Sequence, residues 1–252
     1  MSDQAGAGGG PDVRAKGDGV QRPRRFYKTV SIGEIDGGFA PLLDGRAPKT
    51  PAGARLVVPA AALAGLLARE WDAQREVIDP TRMPLTRLAA TTIDHVAAAR
   101  APVAEEISRY AGSDLLCYFA EAPDSLVAEQ AERWGPWLDW AERELGVRLE
   151  RGRGIQHRAQ PEASLARVRA LALELDAFSL TGLADLTSLL GSAVLALAVQ
   201  RRALTAGEAF ALSRLDEAFQ EARWGVDDEA LARTEGRRAH ADLLGQWLAA
   251  LA

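Results

Sequence analysis

Three histidines, His95, His157 and His240, and one cysteine, Cys117, are the side chains best suited to nucleophilic or metal chemistry in this sequence. Asp94-His95 with Cys117 has the composition of a thiolate nucleophile, its base and an orienting acid. Adjacent Asp and His, however, point in different directions on a helix, and Cys117 falls in the apolar run 114–119, where a small buried hydrophobe is expected. No pair of His or Cys stands at metal-ligand spacing. The glycines Gly6, Gly8, Gly9 and Gly10 follow no strand and open no helix, so they do not read as a phosphate loop. Arg151-Gly152-Arg153-Gly154 has the composition of an RNA-binding fragment, but one copy in an acidic chain without nearby aromatic platforms reads as a solvated loop. The residues therefore offer no catalytic set, no metal site and no cofactor site. One constellation remains, in 215–225: Asp216, Phe219, Gln220 and either Arg223 or Trp224 share one stripe of a helix. Either the aromatics turn inward and the acids are solvated, or the stripe presents a mixed polar and aromatic surface to a protein partner.

The elements that must carry these residues fall into an α+β plan: a small N-terminal antiparallel β-rich region packed on helices, followed by a mostly helical C-terminal domain. Residues 1–24 are rich in glycine and charge and read as a disordered arm. In 25–60, β-like runs at 26–32, 39–43 and 55–58 are separated by the turn signals Asp36-Gly37-Gly38 and Asp44-Gly45, which predicts a sheet of three or four strands. Residues 61–155 continue this half as helices. Leu63, Leu67, Trp71, Gln74 and Ile78 repeat at helical spacing, Pro80 and Pro84 stop the first helix and start the next, and Leu85, Leu88, Thr92 and Val96 form its apolar face. Trp71 and Pro84 are the structural residues of this corner. The run 114–119 suits either a strand or a helical turn, and Gly135-Pro136 is expected to kink or split the helix 124–145, where Trp134, Trp137 and Trp140 read as core. Residues 146–159 mark the boundary to a helical domain at 156–252. Its helices are expected at 162–175, 178–201, 206–224 (opened by the capping box Thr205 to Glu208) and up to 251.

Composition narrows the class of function. A formal net charge of −5 gives no global attraction to nucleic acid or an anionic membrane. The balance is uneven, with nine basic against six acidic residues in 1–59 and eight acidic against three basic in 205–235. The longest uncharged stretch, 186–200, is shorter than the ~20 residues a spanning helix needs, and 1–24 lacks the apolar segment of a secretory signal. A single cysteine excludes an intrachain disulfide and fits a reducing compartment. Alanine-rich, arginine-for-lysine usage suggests a GC-rich bacterial genome.

Several segments taken in order carry a resemblance: Arg25-Phe26-Tyr27-Lys28, Leu43-Asp44-Gly45-Arg46, Lys49-Thr50-Pro51, Glu70-Trp71-Asp72-Ala73-Gln74, Met83-Pro84-Leu85-Thr86, Tyr110 to Leu116, and Phe219-Gln220 with Trp224-Gly225. From about residue 25 to 230 the chain resembles the assembly chaperones for the alpha subunit of the F-type ATP synthase catalytic head. Phe219 departs from the pattern, because members often carry Tyr before the Gln. The resemblance implies a non-enzymatic protein, monomeric when free, without cofactor. Such a protein binds the unassembled alpha subunit, shields the surface later taken by the beta subunit, and leaves as the ring forms. It implies a cytoplasmic location in bacteria and a mitochondrial one in eukaryotes. It also implies an essential acid in the C-terminal helices, carried onto Asp216 with Glu217 adjacent; Phe219, Gln220 and Trp224 are further partner-binding residues, and Glu70 and Asp72 secondary ones. The alternative is a small-molecule enzyme with its site between the β-rich and helical halves.

Overall fold

The Asp36-Gly37 turn signal produces the tightest feature of the fold. In the computed structural model, which describes residues 22–252, Asp36 and Gly37 take φ angles of 52° and 76°, the left-handed pair that a two-residue hairpin turn requires. They join β1 (Val30–Ile35) to β2 (Gly38–Leu43), antiparallel, with Val30 opposite Leu43 and Ile35 opposite Gly38. The expected third strand is corrected: 55–58 contributes only isolated bridges, Val58 to Phe39 and Arg55 to Lys49. Phe39 and Val58 exchange both backbone hydrogen bonds at 2.8 Å. The next bonded partner along β2 is Pro41, which has no N–H to extend the ladder. The Leu56 amide turns to the Pro48 carbonyl instead, at 2.9 Å. The first strand also begins later than expected, because the Lys28 and Thr29 amides donate to the Asp44 carboxylate and Phe26 lies exposed.

The expected arm lies outside the described residues up to residue 21. Residues 22–24 depart from that expectation: Ile78 N–H donates to the Pro23 carbonyl at 2.8 Å, and Arg22 pairs with Asp79 at 2.7 Å.

A two-stranded sheet buries too little to stand alone, and α1 (Ala61–Asp72) covers it, burying Leu63, Ala64 and Leu67. α2 (Pro84–Asp94) and α3 (Arg100–Ala111) follow. The ambiguous run 114–119 is both things in turn, a 3-10 turn at Leu115–Cys117 and then the two-residue strand β3 (Tyr118–Phe119). β3 pairs in parallel with β4 (Gly152–Arg153) from the 146–159 connection. α4 (Asp124–Trp140) is not split at Pro136. It runs through that residue and widens into a π turn, Ala141–Leu145, closed by Gly146 at φ 69°. Trp134 is fully buried, whereas Trp137 and Trp140 are half-buried and meet edge to face.

The C-terminal helices are α5 (Glu162–Glu174), α6 (Ala177–Leu190), α7 (Ala193–Gln200), α8 (Ala206–Ser213), α9 (Leu215–Trp224) and α10 (Asp228–Ala250). Two expected long helices are each divided. Gly191, in the left-handed region, ends α6, and Ser192 caps α7 by accepting from Leu195 N–H. The second divides at Arg214 into α8 and α9. The capping box at Thr205 and Glu208 forms as expected. One apolar cluster runs from Leu56 to Leu248 and unites the helices; α7 is its centre, with residues 193–199 all buried. A satellite cluster of Tyr27, Leu43, Ile78 and Met83 sits under the corner between α1 and α2.

Candidate partner-binding site

Leu215 is the one buried residue of α9, and Phe219 packs partly buried against the core beside it. Next to Leu215, Asp216 is half-buried and accepts a 2.7 Å hydrogen bond from Gln130 Nε2 on α4. Gln130 is itself fully buried and accepts from Ala120 N–H at 2.8 Å through its other atom. Burial raises the Asp216 carboxyl above the usual carboxylate range, opposed by the Gln130 bond. Asp216 thus fastens α9 to α4 while part of its carboxylate faces outward. Glu217 and Gln220 are exposed. Phe219 is half-buried under the Arg223 guanidinium, 4.1 Å from the ring centroid, and Arg223 also donates to the Ser125 hydroxyl. Trp224 then ends the helix with 77% of its surface exposed.

The chain beyond Trp224 extends this apolar surface. Gly225 takes φ 79°, Val226 is exposed, and α10 begins at an Asp227 cap that accepts from Ala230 N–H. Between residues 228 and 240 α10 has no buried residue, and Leu231 lies on the surface; burial begins at Ala241 and continues through Leu244, Trp247 and Leu248. His240 and Arg237 tie the projecting half back to α6, through Asp185 at 3.1 Å and the Leu189 carbonyl at 2.7 Å. Trp224, Val226 and Leu231 are therefore exposed apolar groups around the α9–α10 junction, with Asp227, Asp228 and Glu229 among them. Exposed apolar groups gathered like this mark an interaction surface more often than chance.

At the α1–α2 corner the structure gives Glu70 a different task from the one expected. Its two carboxylate oxygens accept from Leu85 N–H at 2.8 Å and Thr86 N–H at 2.7 Å. Met83, the residue before α2, supplies no side-chain cap, so Glu70 on the neighbouring helix satisfies the free donors of the first turn. Burial raises its pKa and those bonds oppose the rise. Its carboxylate is turned into the fold, whereas Asp72 is exposed and only loosely paired with Arg25 at 3.4 Å. Trp71 is half-buried rather than enclosed, because α1 ends at Asp72 and the ring lies at its edge. It packs edge to face on Tyr27, 5.8 Å between centroids, while the Tyr27 hydroxyl donates to the Trp71 carbonyl at 2.7 Å. Pro84 opens α2 as expected.

The thiolate constellation is not assembled. Asp94 accepts from the Thr50 hydroxyl at 2.6 Å and Ala52 N–H at 3.1 Å. Cys117 is buried, which drives its thiol far above the ordinary range, and the adjacent Asp114 carboxylate adds to the effect. Among the described residues no group of three or more His, Cys, Asp or Glu could hold a metal ion, and no helix is long and apolar enough to cross a membrane. Sequence reading missed Asp114 itself. It is fully buried, accepts from Leu116 and Val194 N–H at 3.1 Å each, and has its pKa pushed up to about 6 by burial. An aspartate directly before an apolar run was the available signal.

Comparison with known proteins gives a consistent set of relatives. A family model described as ATP12 chaperone protein matches residues 24–142. The mitochondrial protein atp12 of Schizosaccharomyces pombe is 27% identical over 219 residues, 82% of this chain and 75% of that one. The crystal structure of Atp12 from Paracoccus denitrificans is 45% identical with a TM-score of 0.85, covering 90% of this chain and 97% of that one. An aspartate-to-lysine mutant of the same Paracoccus protein matches over the same shares at 44% identity, with the same TM-score.

Proposed function

The chain belongs to the ATP12 chaperone family, and from that premise we propose that it assists assembly of the F-type ATP synthase catalytic head. It binds the unassembled alpha subunit, covers the face later taken by the beta subunit, and is displaced as the ring forms. The observation that carries this reading is the α9–α10 junction, where Trp224 at the end of α9, Val226 in the link and Leu231 in the first turns of α10 all stand exposed. An isolated subunit of a hetero-oligomer presents an apolar interface that aggregates unless covered. A surface with a large aromatic anchor and a rim of carboxylates is chemically suited to cover it.

In this reading Trp224 is the anchor, Phe219 under Arg223 extends it, and Asp216, Glu217 and Gln220 supply polar contacts. Asp72 is a secondary contact, and Glu70 is removed from the set because its carboxylate caps α2. The protein acts as a free monomer in the compartment where the alpha subunit is made, without catalysis or cofactor. Co-expression with the alpha subunit of the same organism tests the proposal. A soluble one-to-one complex is expected, and added beta subunit should release the chaperone. Alpha subunit that stays equally soluble without this protein, or a complex unaffected by beta subunit, overturns it.

A further inference from the structure

Gln130 lies on α4, behind the α9 surface, and is fully buried. A buried side-chain amide needs an acceptor for its NH₂ and a donor for its oxygen. The Ala120 N–H, just after β3, supplies the donor, reaching Oε1 at 2.8 Å, and Nε2 donates to Asp216 Oδ1 at 2.7 Å. These two partners leave the amide one orientation. Turned over, it would set its NH₂ against the Ala120 N–H and its oxygen against the carboxylate, donor to donor and acceptor to acceptor. Gln130 therefore always offers Asp216 a donor, and one carboxylate oxygen is always committed to it. The other, Oδ2, has no partner among the described residues and is not sealed in the interior.

Anchoring α9 does not by itself require a carboxylate at this position. A neutral amide oxygen accepts from Gln130 as well, whereas burial disfavours the charged form and the adjacent Glu217 adds to that effect. We propose that Gln130 is a positioning residue of the client site, fixing the Asp216 carboxylate so that Oδ2 is held outward to accept from a hydrogen-bond donor on the client. This rests on the client-binding reading above and adds to it the chemistry of one contact. The client brings the donor, and a buried residue of α4 that touches no client atom sets where that donor must stand.

Asp216→Asn separates anchoring from recognition. Its side-chain oxygen still accepts from Gln130, so its urea midpoint should match wild type, but the outward atom becomes an NH₂ and capture of the alpha subunit should fall at least about tenfold. Gln130→Leu removes the donor at similar volume. Capture by that variant at pH 8 should fall about fivefold. In the free, ¹³C-labelled full chain, where Asp216→Asn identifies the Asp216 carboxyl signal, Gln130→Leu should move the Asp216 titration to higher pH, because the lost bond favours the charged form. Undiminished capture by Asp216→Asn or by folded Gln130→Leu, or an Asp216 titration that Gln130→Leu leaves in place, overturns the proposal while the client reading stands. Capture that Asp216→Asn loses only together with its stability assigns Asp216 to anchoring and also overturns it. If Gln130→Leu does not fold, Asp216→Asn decides alone, and a wild-type chain that captures no alpha subunit overturns both readings.

Discussion

Replacing Glu70 by Ala removes the acceptor of two charge-assisted hydrogen bonds, from Leu85 N–H at 2.8 Å and Thr86 N–H at 2.7 Å. Bonds to a charged group contribute about 1.5–3 kcal/mol each before other costs. Two terms reduce the sum: the carboxylate is partly desolvated, as its raised pKa shows, and water entering the space left by the side chain can satisfy one freed donor in part. The expected net loss is about 2–4 kcal/mol. Glu70→Gln keeps one acceptor oxygen but turns an NH₂ toward the second donor, so it should lose about half as much. Urea unfolding gives the totals, and amide exchange gives the mechanism: Leu85 and Thr86 should lose protection in the Ala variant more than residues in α5. Asp72→Ala, removing an exposed carboxylate at 3.4 Å from Arg25, should cost under ~0.5 kcal/mol. If Glu70→Ala matches Asp72→Ala in stability and both amides keep their protection, the cap assignment is wrong.

Asp114 has its pKa raised from 3.8 to about 6 by burial, so the folded state holds its proton over a pH range where the unfolded state has lost it. Its contribution is therefore greatest below pH 4 and falls as pH rises to about 6, by roughly 3 kcal/mol. Asp114→Asn cannot titrate, and its stability relative to wild type should improve by that order between pH 4 and 7; a constant difference across that range refutes the assignment. Trp71→Ala should cost about 1.5–3 kcal/mol, below the ~3–5 of an enclosed aromatic, because the ring is only half-buried; an unchanged urea midpoint would contradict this. Trp224→Ala, at a residue 77% exposed, should leave unfolding within ~0.5 kcal/mol of wild type and weaken alpha-subunit capture at least tenfold; undiminished capture removes Trp224 from the contact. Asp216→Lys should both weaken capture and destabilise by ~1–3 kcal/mol, since it strands the buried Gln130 amide. Wild-type stability in that variant would show that the Gln130 bond contributes nothing.

What could be read in the sequence was whatever depends on neighbours along the chain. The Asp36-Gly37 turn, the Thr205 to Glu208 capping box, the helix start at Pro84 and the stop at Gly225 are set by φ preferences and by side chains within about four residues. The apolar spacing of α2, and of α1 as far as Trp71, follows from the same local periodicity, whereas Gln74 and Ile78 lie past the end of α1 at Asp72; the ordered family segments placed the chain among its relatives. Tertiary structure decided what each polar group meets across the fold. Glu70 and Asp72 look alike in sequence, yet one caps a helix through the Leu85 amide fifteen residues later and the other faces solvent. Asp114 is buried because α7 brings Val194 N–H to it from eighty residues away. Pro41 limits the sheet only because Val58 arrives beside Phe39. The division between α6 and α7 went unread because an apolar run has no period to interrupt. Gly191 ends α6 in the left-handed region, and its carbonyl then receives the Leu115 amide from across the fold. Local preference fixes the elements; their long-range hydrogen bonds and burial, absent from any short window of sequence, assign the carboxylates to structure or to surface.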